Sequence, residues 1–199
     1  MRQFTPREFK IPALTGISAT TVEEHIKLYQ GYVKNANAIQ DKIVEYRKDR
    51  EANAYVIGEL RRRLSFEYDG MRNHEVYFSS LEGGPAPLAE GSPLRAAIEA
   101  DCAPFDEFIA GFKAMAASVR GIGWAVLWYD RTDRRLMTSW VDEQHLGHFN
   151  GCAMILGLDM WEHSYVADYQ PSGKKRYIDD FFANLNWAAI EDNFKRAQG

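Results

Sequence analysis

The period of the apolar side chains changes along this chain of 199 residues, and the change constrains the fold strongly. As far as Leu81 the apolar residues recur mostly at helical spacing. Beyond Gly121, three segments rich in β-branched and aromatic residues are predicted to be strands, at residues 124–129, 136–141 and 153–159. The sequence therefore predicts an α+β protein, in which an N-terminal helical hairpin precedes an α/β domain with a small three-stranded antiparallel sheet.

The segment Gly83-Gly84-Pro85-Ala86-Pro87 is the expected domain boundary, because Gly and Pro interrupt regular structure most strongly. We therefore expect a helical hairpin domain at residues 1–82 and an α+β domain at residues 92–199. The first helix is predicted to begin at the capping box Thr20-Thr21-Val22-Glu23. Helical spacing continues from about residue 37 to residue 81, and Ser92 is the expected cap of the first helix in the second domain.

Charge and composition exclude several classes of function. The chain has 24 Lys and Arg against 28 Asp and Glu, a formal net charge of −4, so we expect no nucleic-acid partner. Arg61-Arg62-Arg63 is predicted to be a solvated helix face. No window approaches about 18 uninterrupted apolar residues, so no membrane association is expected. The absence of a signal-like N-terminus and the isolated Cys102 and Cys152 favour a cytoplasmic location with reduced thiols.

The five histidines are few enough to consider singly. His25 and His74 lie on predicted helices, and His163 follows Asp159 by four residues where a strand runs into a helix. Three imidazoles and one carboxylate could hold a first-row metal ion and leave a position for water. Spacing alone leaves open the alternative that these are ordinary core histidines. His145 and His148 lie in a predicted loop, where histidines are usually solvated, and are left out of this set.

Several motifs in the same order resemble the iron/manganese superoxide dismutases. The segment Asp159-Met160-Trp161-Glu162-His163-Ser164-Tyr165 is similar to the family's Asp-x-Trp-Glu-His-Ala-Tyr. Three further segments match the family's first helix, its Asn-His pair and its Gly-x-Gly-Trp strand entry: residues 17–25, 73–74 and 121–124. The late segment Asn184-Leu185-Asn186-Trp187 resembles its Asn-Trp segment. The resemblance extends from about residue 11 to residue 195.

This resemblance implies an antioxidant enzyme that disproportionates superoxide to dioxygen and hydrogen peroxide. It implies one manganese or iron ion per subunit, with solvent as a further ligand and four protein ligands: His25, His74, Asp159 and His163. Glu162 resembles the residue that reaches across a two-fold interface to the metal histidine of the partner subunit, so a homodimer is implied, with Glu162 and His163 at its interface. Dimer and tetramer both remain open.

The resemblance also implies two catalytic residues beside the metal, Tyr32 and Gln144. In the family, a glutamine amide next to the solvent ligand comes either from the long helix or from the loop before the third strand. Gly70 at the helix position and Gln144 in the loop resemble the arrangement of manganese-type members. A shift of one residue would instead turn His145 inward. Tyr32 resembles the active-site tyrosine whose hydroxyl bonds to this glutamine.

The chain also departs from the family pattern near the expected entrance. His25 and Tyr32 are seven residues apart, where the commonest members have eight. The usual gateway histidine is absent from the Leu28-Tyr29 region, and its tyrosine partner is replaced by Val166. Two alternatives therefore stay open: a catalytically weak member acting as a metal-binding or interaction protein, and another redox reaction, such as dioxygenation, at the same site.

Superoxide is an anion, whereas the net charge of the chain is −4. Attraction of the substrate would therefore depend on positive groups close to the entrance, since steering follows the local potential. The candidates for this role are those close to the motifs: Lys27, Lys34 and Arg72.

Overall fold

The computed structural model of the protein describes residues 2–199. Seven α-helices lie in this range: α1 Ala19–Tyr46, α2 Ala54–Ser79, α3 Pro93–Asp101, α4 Phe105–Ser118, α5 Val166–Tyr169, α6 Lys174–Ala183 and α7 Trp187–Gln198. The strands are β1 Gly123–Asp130, β2 Arg135–Asp142 and β3 Cys152–Asp159. Single 3₁₀ turns occupy Arg47–Asp49, Glu162–Ser164 and Pro171–Gly173. The architecture is the predicted one, a helical hairpin followed by an α/β domain with three antiparallel strands.

Helix α1 begins two residues before the predicted position. Ser18 has extended backbone angles, φ −72° and ψ 153°, and its side chain accepts a hydrogen bond from the Thr21 amide at 3.1 Å. Thr20, the predicted cap, is already inside the helix. A cap residue needs non-helical angles, which Ser18 has and Thr20 lacks. The predicted capping box was therefore wrong by two residues.

The predicted helical run from residue 37 to residue 81 is interrupted by the turn of the hairpin. Helix α1 continues to Tyr46, and residues 47–53 separate it from α2. The side-chain amide of Asn53 donates to the Asp49 carbonyl at 2.8 Å and to the Tyr46 carbonyl at 3.4 Å. These bonds satisfy carbonyl groups that the helix end leaves without partners.

The sheet has the strand order β2-β1-β3, with both pairs antiparallel. The central strand β1 is buried on both faces as far as Tyr129, whereas the edge strand β2 buries only Leu136 and Val141. Each predicted strand is confirmed and extends one residue beyond the prediction at one or both ends. The register pairs Trp124 with Asp159, so the last residue of β3 lies beside the start of β1.

The hairpin and the sheet pack against each other through α2 and β3, and α7 also packs against β3. Ser92 caps α3 as predicted, because its hydroxyl accepts from the Arg95 amide at 2.9 Å. The two predicted C-terminal helices correspond to α6 and α7. Within residues 2–199, no helix combines the length and apolarity needed to cross a membrane.

Candidate metal centre

Four side chains singled out in the sequence meet where the hairpin packs on the sheet. His25 comes from α1 and His74 from α2, Asp159 ends β3, and His163 follows in the 3₁₀ turn Glu162–Ser164. One ligand atom from each residue lies within 4.8 Å of the others. The fold therefore gathers side chains that are distant in sequence into one cluster.

The Asp159 carboxylate is at the centre of this cluster. Its Oδ2 lies 3.1 Å from Nε2 of His25, 3.1 Å from Nε2 of His163 and 3.5 Å from Nε2 of His74. Its other oxygen, Oδ1, accepts a hydrogen bond from the Trp161 amide at 2.7 Å. This bond holds Oδ2 toward the imidazoles. Three imidazole nitrogens and one carboxylate oxygen are a donor set that suits a first-row transition metal ion.

The tautomer of His74 follows from its hydrogen bond within α2. Its Nδ1 lies 2.6 Å from the Gly70 carbonyl oxygen, which can only accept, so Nδ1 carries the hydrogen. Its Nε2 therefore presents a lone pair to the cluster, and this buried atom has no hydrogen-bond partner among residues 2–199. An unsatisfied buried polar atom costs about 1–3 kcal/mol. A bound cation would remove that cost, so the site fits a metal ion.

The surroundings favour the protonation states that a metal ion requires. Burial lowers the pKa of His25 and lowers that of His74 to about 3. Burial alone would raise the pKa of Asp159, but the His163 charge and the hydrogen bonds from His163 and His25 hold it well below its usual range. At neutral pH the His25 and His74 imidazoles are therefore neutral and the Asp159 carboxylate is ionised, and these forms bind metals.

Gln144 links the loop before β3 to Tyr32, the neighbour of His74. The residue is fully buried, and its Nε2 donates to the Tyr32 hydroxyl at 3.0 Å. Its Oε1 accepts from Nε1 of Trp124 at 2.9 Å, and its backbone carbonyl accepts from the Asn73 amide side chain at 2.9 Å. The amide of Gln144 is therefore held at both ends, facing Tyr32.

Gly70 has no room for a side chain. A Cβ atom at this position would lie 2.6 Å from Cδ1 of the Tyr32 ring. The same ring lies 5.1 Å from the His74 ring, centroid to centroid. Tyr32 thus fills the space that a glutamine on this turn of α2 would need. A glutamine amide at this place can come from Gln144 but not from position 70, unless Tyr32 moves.

The unusual spacing between His25 and Tyr32 suits a regular helix. Seven residues are close to two turns of 3.6 residues, so the two side chains share one face. Helix α1 is uninterrupted across this segment, and both side chains reach the neighbourhood of His74. Despite the one-residue departure from the family spacing, Tyr32 therefore lies beside His74.

His145 and His148 lie outside the cluster. His145 packs against Phe66, with ring centroids 5.7 Å apart, and His148 packs against Trp128 at 5.1 Å. Of the two residues that could have faced Tyr32, Gln144 does so and His145 does not.

Two residues that the sequence analysis did not single out also support Asp159. The Tyr177 hydroxyl donates to the Asp159 backbone carbonyl at 2.9 Å, and the Ser164 hydroxyl donates to the same oxygen at 3.0 Å. Ser164 follows His163 directly, so its place in the motif could have indicated this role. Tyr177 reaches the site only through the packing of α6, and no local pattern in the sequence indicates that contact.

A cavity of about 420 Å³ opens onto Tyr32 between α1 and α2. Leu28 is 43% exposed and lines this cavity, in the region where the family's gateway histidine is missing. Of the three expected steering residues, Lys27 lines the cavity but pairs with Glu24, and Lys34 is outside its lining. Arg72 also lies outside its lining, since it pairs with Glu75 at 2.7 Å and lines a different cavity.

Comparison with protein families gives two matches that together cover most of the chain. The alpha-hairpin domain of the iron/manganese superoxide dismutases matches residues 4–82. The C-terminal domain of the same family matches residues 90–193.

Individual relatives align over nearly their whole length. An iron superoxide dismutase of Aquifex aeolicus (strain VF5) is 33% identical over 192 residues, covering 92% of this chain and 87% of the relative. A manganese superoxide dismutase of Nocardia asteroides is 34% identical over 175 residues, covering 87% and 82%. An iron superoxide dismutase of Tetrahymena pyriformis is 31% identical over 177 residues, covering 87% and 89%.

Proposed function

The chain belongs to the iron/manganese superoxide dismutase family, and from that premise we propose that it disproportionates superoxide. Two superoxide anions and two protons give one dioxygen and one hydrogen peroxide, so one anion loses an electron and the other gains it. The observation that carries this proposal is the buried cluster of His25, His74, Asp159 and His163. The alternative of a catalytically weak interaction protein is not favoured, because this cluster is complete.

A manganese or iron ion bound to these four residues would supply the one-electron redox chemistry. The residues set the charge at that place: the Asp159 carboxylate contributes one negative charge, and the neutral His25 and His74 imidazoles contribute none. The Gly70 carbonyl orients His74, and the Trp161 amide orients Asp159. Such outer hydrogen bonds typically change metal affinity or activity about 10- to 100-fold when removed.

Tyr32 is the proposed proton donor, and Gln144 is the proposed residue that positions it. Burial, followed by the charges of Asp159 and Glu67, raises the pKa of Tyr32, so the phenol is protonated at neutral pH. Its oxygen accepts from Gln144, which leaves the hydroxyl hydrogen free for donation. Because Tyr32 also lines the entrance cavity, it can take up a replacement proton from solvent.

We further propose manganese rather than iron as the preferred metal, with one ion per subunit. The support is the pair Gly70 and Gln144, which resembles the manganese-type arrangement. The close approach of Tyr32 to Gly70 gives this pair a steric basis.

The test follows the decay of superoxide in the presence of metal-free, manganese-loaded and iron-loaded protein. We expect rapid decay with manganese, slower decay with iron, and no acceleration by the metal-free protein. Greater activity with iron would refute the metal preference alone. Absence of activity with both metals would refute the enzymatic function.

A homodimer is also proposed, in which Glu162 orients His163 of the partner subunit. Glu162 is exposed, and the His163 side chain is 20% exposed, whereas the other three ligand side chains are at most 2% exposed. We expect Glu162→Ala to weaken dimerisation and lower activity, and Glu90→Ala, which changes an exposed loop residue, to alter neither. Sedimentation velocity measures the association. A fully dimeric, fully active Glu162→Ala variant would contradict the proposal.

We also propose a cytoplasmic location. The unpaired Cys102 and Cys152 support it, and imaging of a fluorescent fusion tests it.

We further propose that the chain divides into domains at residues 1–82 and 92–199. The Gly- and Pro-rich segment at residues 83–87 supports this division, and limited proteolysis tests it.

A further inference from the structure

The cavity that opens onto Tyr32 contains two oppositely charged pairs. Lys27 and Glu24 form the first, with Nζ and Oε1 2.6 Å apart, and both side chains are 63% exposed. Arg63 and Glu67 form the second, with Nε and Oε1 2.9 Å apart. An exposed pair such as the first is strongly screened by solvent and contributes little to the local potential.

The second pair differs because its two members are unequally buried. The Glu67 side chain is 5% exposed, whereas the Arg63 side chain is 50% exposed. The remaining oxygen of Glu67 accepts from the Asn35 side-chain amide at 3.3 Å. Glu67 is thus satisfied inside the protein, while the Arg63 guanidinium faces the cavity.

Only part of the Arg63 guanidinium is used by Glu67. The bond to Glu67 is made by Nε, and a guanidinium carries four further N–H groups at its two terminal nitrogens. Arg63 Cζ lies 3.6 Å from the centroid of the Phe66 ring, and that ring lies 6.0 Å from the Tyr32 ring. The Arg63 guanidinium therefore packs on the Phe66 ring, and the Phe66 ring in turn neighbours the Tyr32 ring.

The Arg63 charge also influences the pKa of Tyr32, the proposed proton donor. Burial above all raises the pKa of Tyr32; the Asp159 and Glu67 charges raise it further, and the Arg63 charge lowers it. The Arg63 charge thus favours the ionised form of Tyr32, which lines the same cavity.

We propose that Arg63 guides the superoxide anion to the entrance at Tyr32 and that Glu67 is the positioning residue that holds it there. This inference rests on the proposed function. Without Arg63, the buried Glu67 carboxylate would stand uncompensated beside the cavity that Tyr32 lines. The apolar Leu28 at the same entrance supplies no charge of its own, so the potential depends on the Arg63 and Glu67 pair.

The test compares kcat/KM for superoxide in metal-loaded Arg63→Gln and wild-type protein at several ionic strengths. We expect Arg63→Gln to lower kcat/KM about three- to tenfold at low salt, with little change in kcat. The difference should shrink toward about 0.5 M salt, because screening then acts within a few ångströms. A Glu67→Gln variant, whose amide oxygen can still accept from Arg63, should raise kcat/KM. The double variant should fall between wild type and Arg63→Gln.

Arg62→Gln is the matched control. Arg62 is the neighbouring arginine on α2, 70% exposed and paired with Glu59, and it does not line the cavity. A loss in Arg63→Gln no greater than in Arg62→Gln, or a loss that persists unchanged at high salt, would overturn the proposal.

A second measurement separates this proposal from the proposed function. Azide is a small anion whose binding to the iron-loaded protein can be followed by optical titration without turnover. We expect Arg63→Gln to weaken azide binding about three- to tenfold at low salt, and Arg62→Gln to leave it unchanged. If the wild-type protein does not consume superoxide, the proposed function fails and the titration alone decides. Equal azide affinity in wild type and Arg63→Gln would then refute guidance by Arg63, as would the absence of azide binding.

Discussion

Asp159→Asn is expected to lose its metal ion and, with it, the ability to consume superoxide. Asp159 Oδ2 is within 3.1 Å of two imidazole nitrogens and 3.5 Å of the third, so it is the common neighbour of every other proposed ligand. The substitution removes the one negative charge of the cluster. We expect metal affinity to fall by more than about 100-fold, since losing groups that only orient ligands already costs about 10- to 100-fold.

Metal content by elemental analysis and superoxide decay on the same sample measure this effect. Asp133→Asn is the control, because Asp133 is exposed in the turn between β1 and β2 and its replacement removes the same charge from the chain. Circular dichroism establishes that both variants are folded. A folded Asp159→Asn protein with full metal content and full activity would show that the ligand set is wrong.

Gly70→Ala is expected to destabilise the protein and impair catalysis together. The added Cβ would lie 2.6 Å from Cδ1 and 2.8 Å from Cε1 of Tyr32, so the ring must move. Overpacking of this kind costs about 1–3 kcal/mol of unfolding free energy. Movement of the ring also breaks the bond between Tyr32 and Gln144, and we expect activity to fall by about tenfold or more, in the range of changes around metal ligands.

Gly58→Ala in the same helix is a matched control. A Cβ at Gly58 would have no atom within 4 Å, and alanine is the better helix former by about 1 kcal/mol. Gly58→Ala should therefore be as stable as wild type or more stable, with unchanged activity. Adding Tyr32→Ala to Gly70→Ala should destabilise the protein by less than the sum of the two single substitutions, because the added Cβ then has no ring to meet, and activity should stay low. Equal stability and activity of the Gly70→Ala and Gly58→Ala variants would contradict the steric account of position 70.

The fold class was predictable because the period of the apolar residues changes with the type of element. The predicted start of α1 was wrong because a contact distant in sequence decides between two possible cap residues. Ser18 and Thr20 both begin plausible caps, but Ser18 is held outside the helix by its own amide, which donates to Asp168 Oδ2 at 2.8 Å. Gly16, two residues earlier, has a φ of +78°, which turns the arm into this position. The contact spans 150 residues, so no local pattern could indicate it.

The candidate site was predictable in its residues but not in its environment. Histidine spacing alone left His25 and His74 as possible core residues, and only the ordered motifs turned them into proposed ligands. Arg63 was predicted to be solvated, and it is half exposed. Its place beside Tyr32 depends on the approach of α1 to α2, which spacing within α2 does not reveal. Tyr177 was missed for the same reason, since α6 brings it to Asp159.

The most direct test of the account is the rate of superoxide decay measured against the number of metal ions bound per chain. The same preparation is loaded to increasing occupancy, and both quantities are determined on each sample. We expect a rate that rises in proportion to bound metal and reaches its maximum at one ion per chain, because four ligands converge on one place. A rate that does not depend on bound metal, or no activity at full occupancy with either manganese or iron, would contradict it.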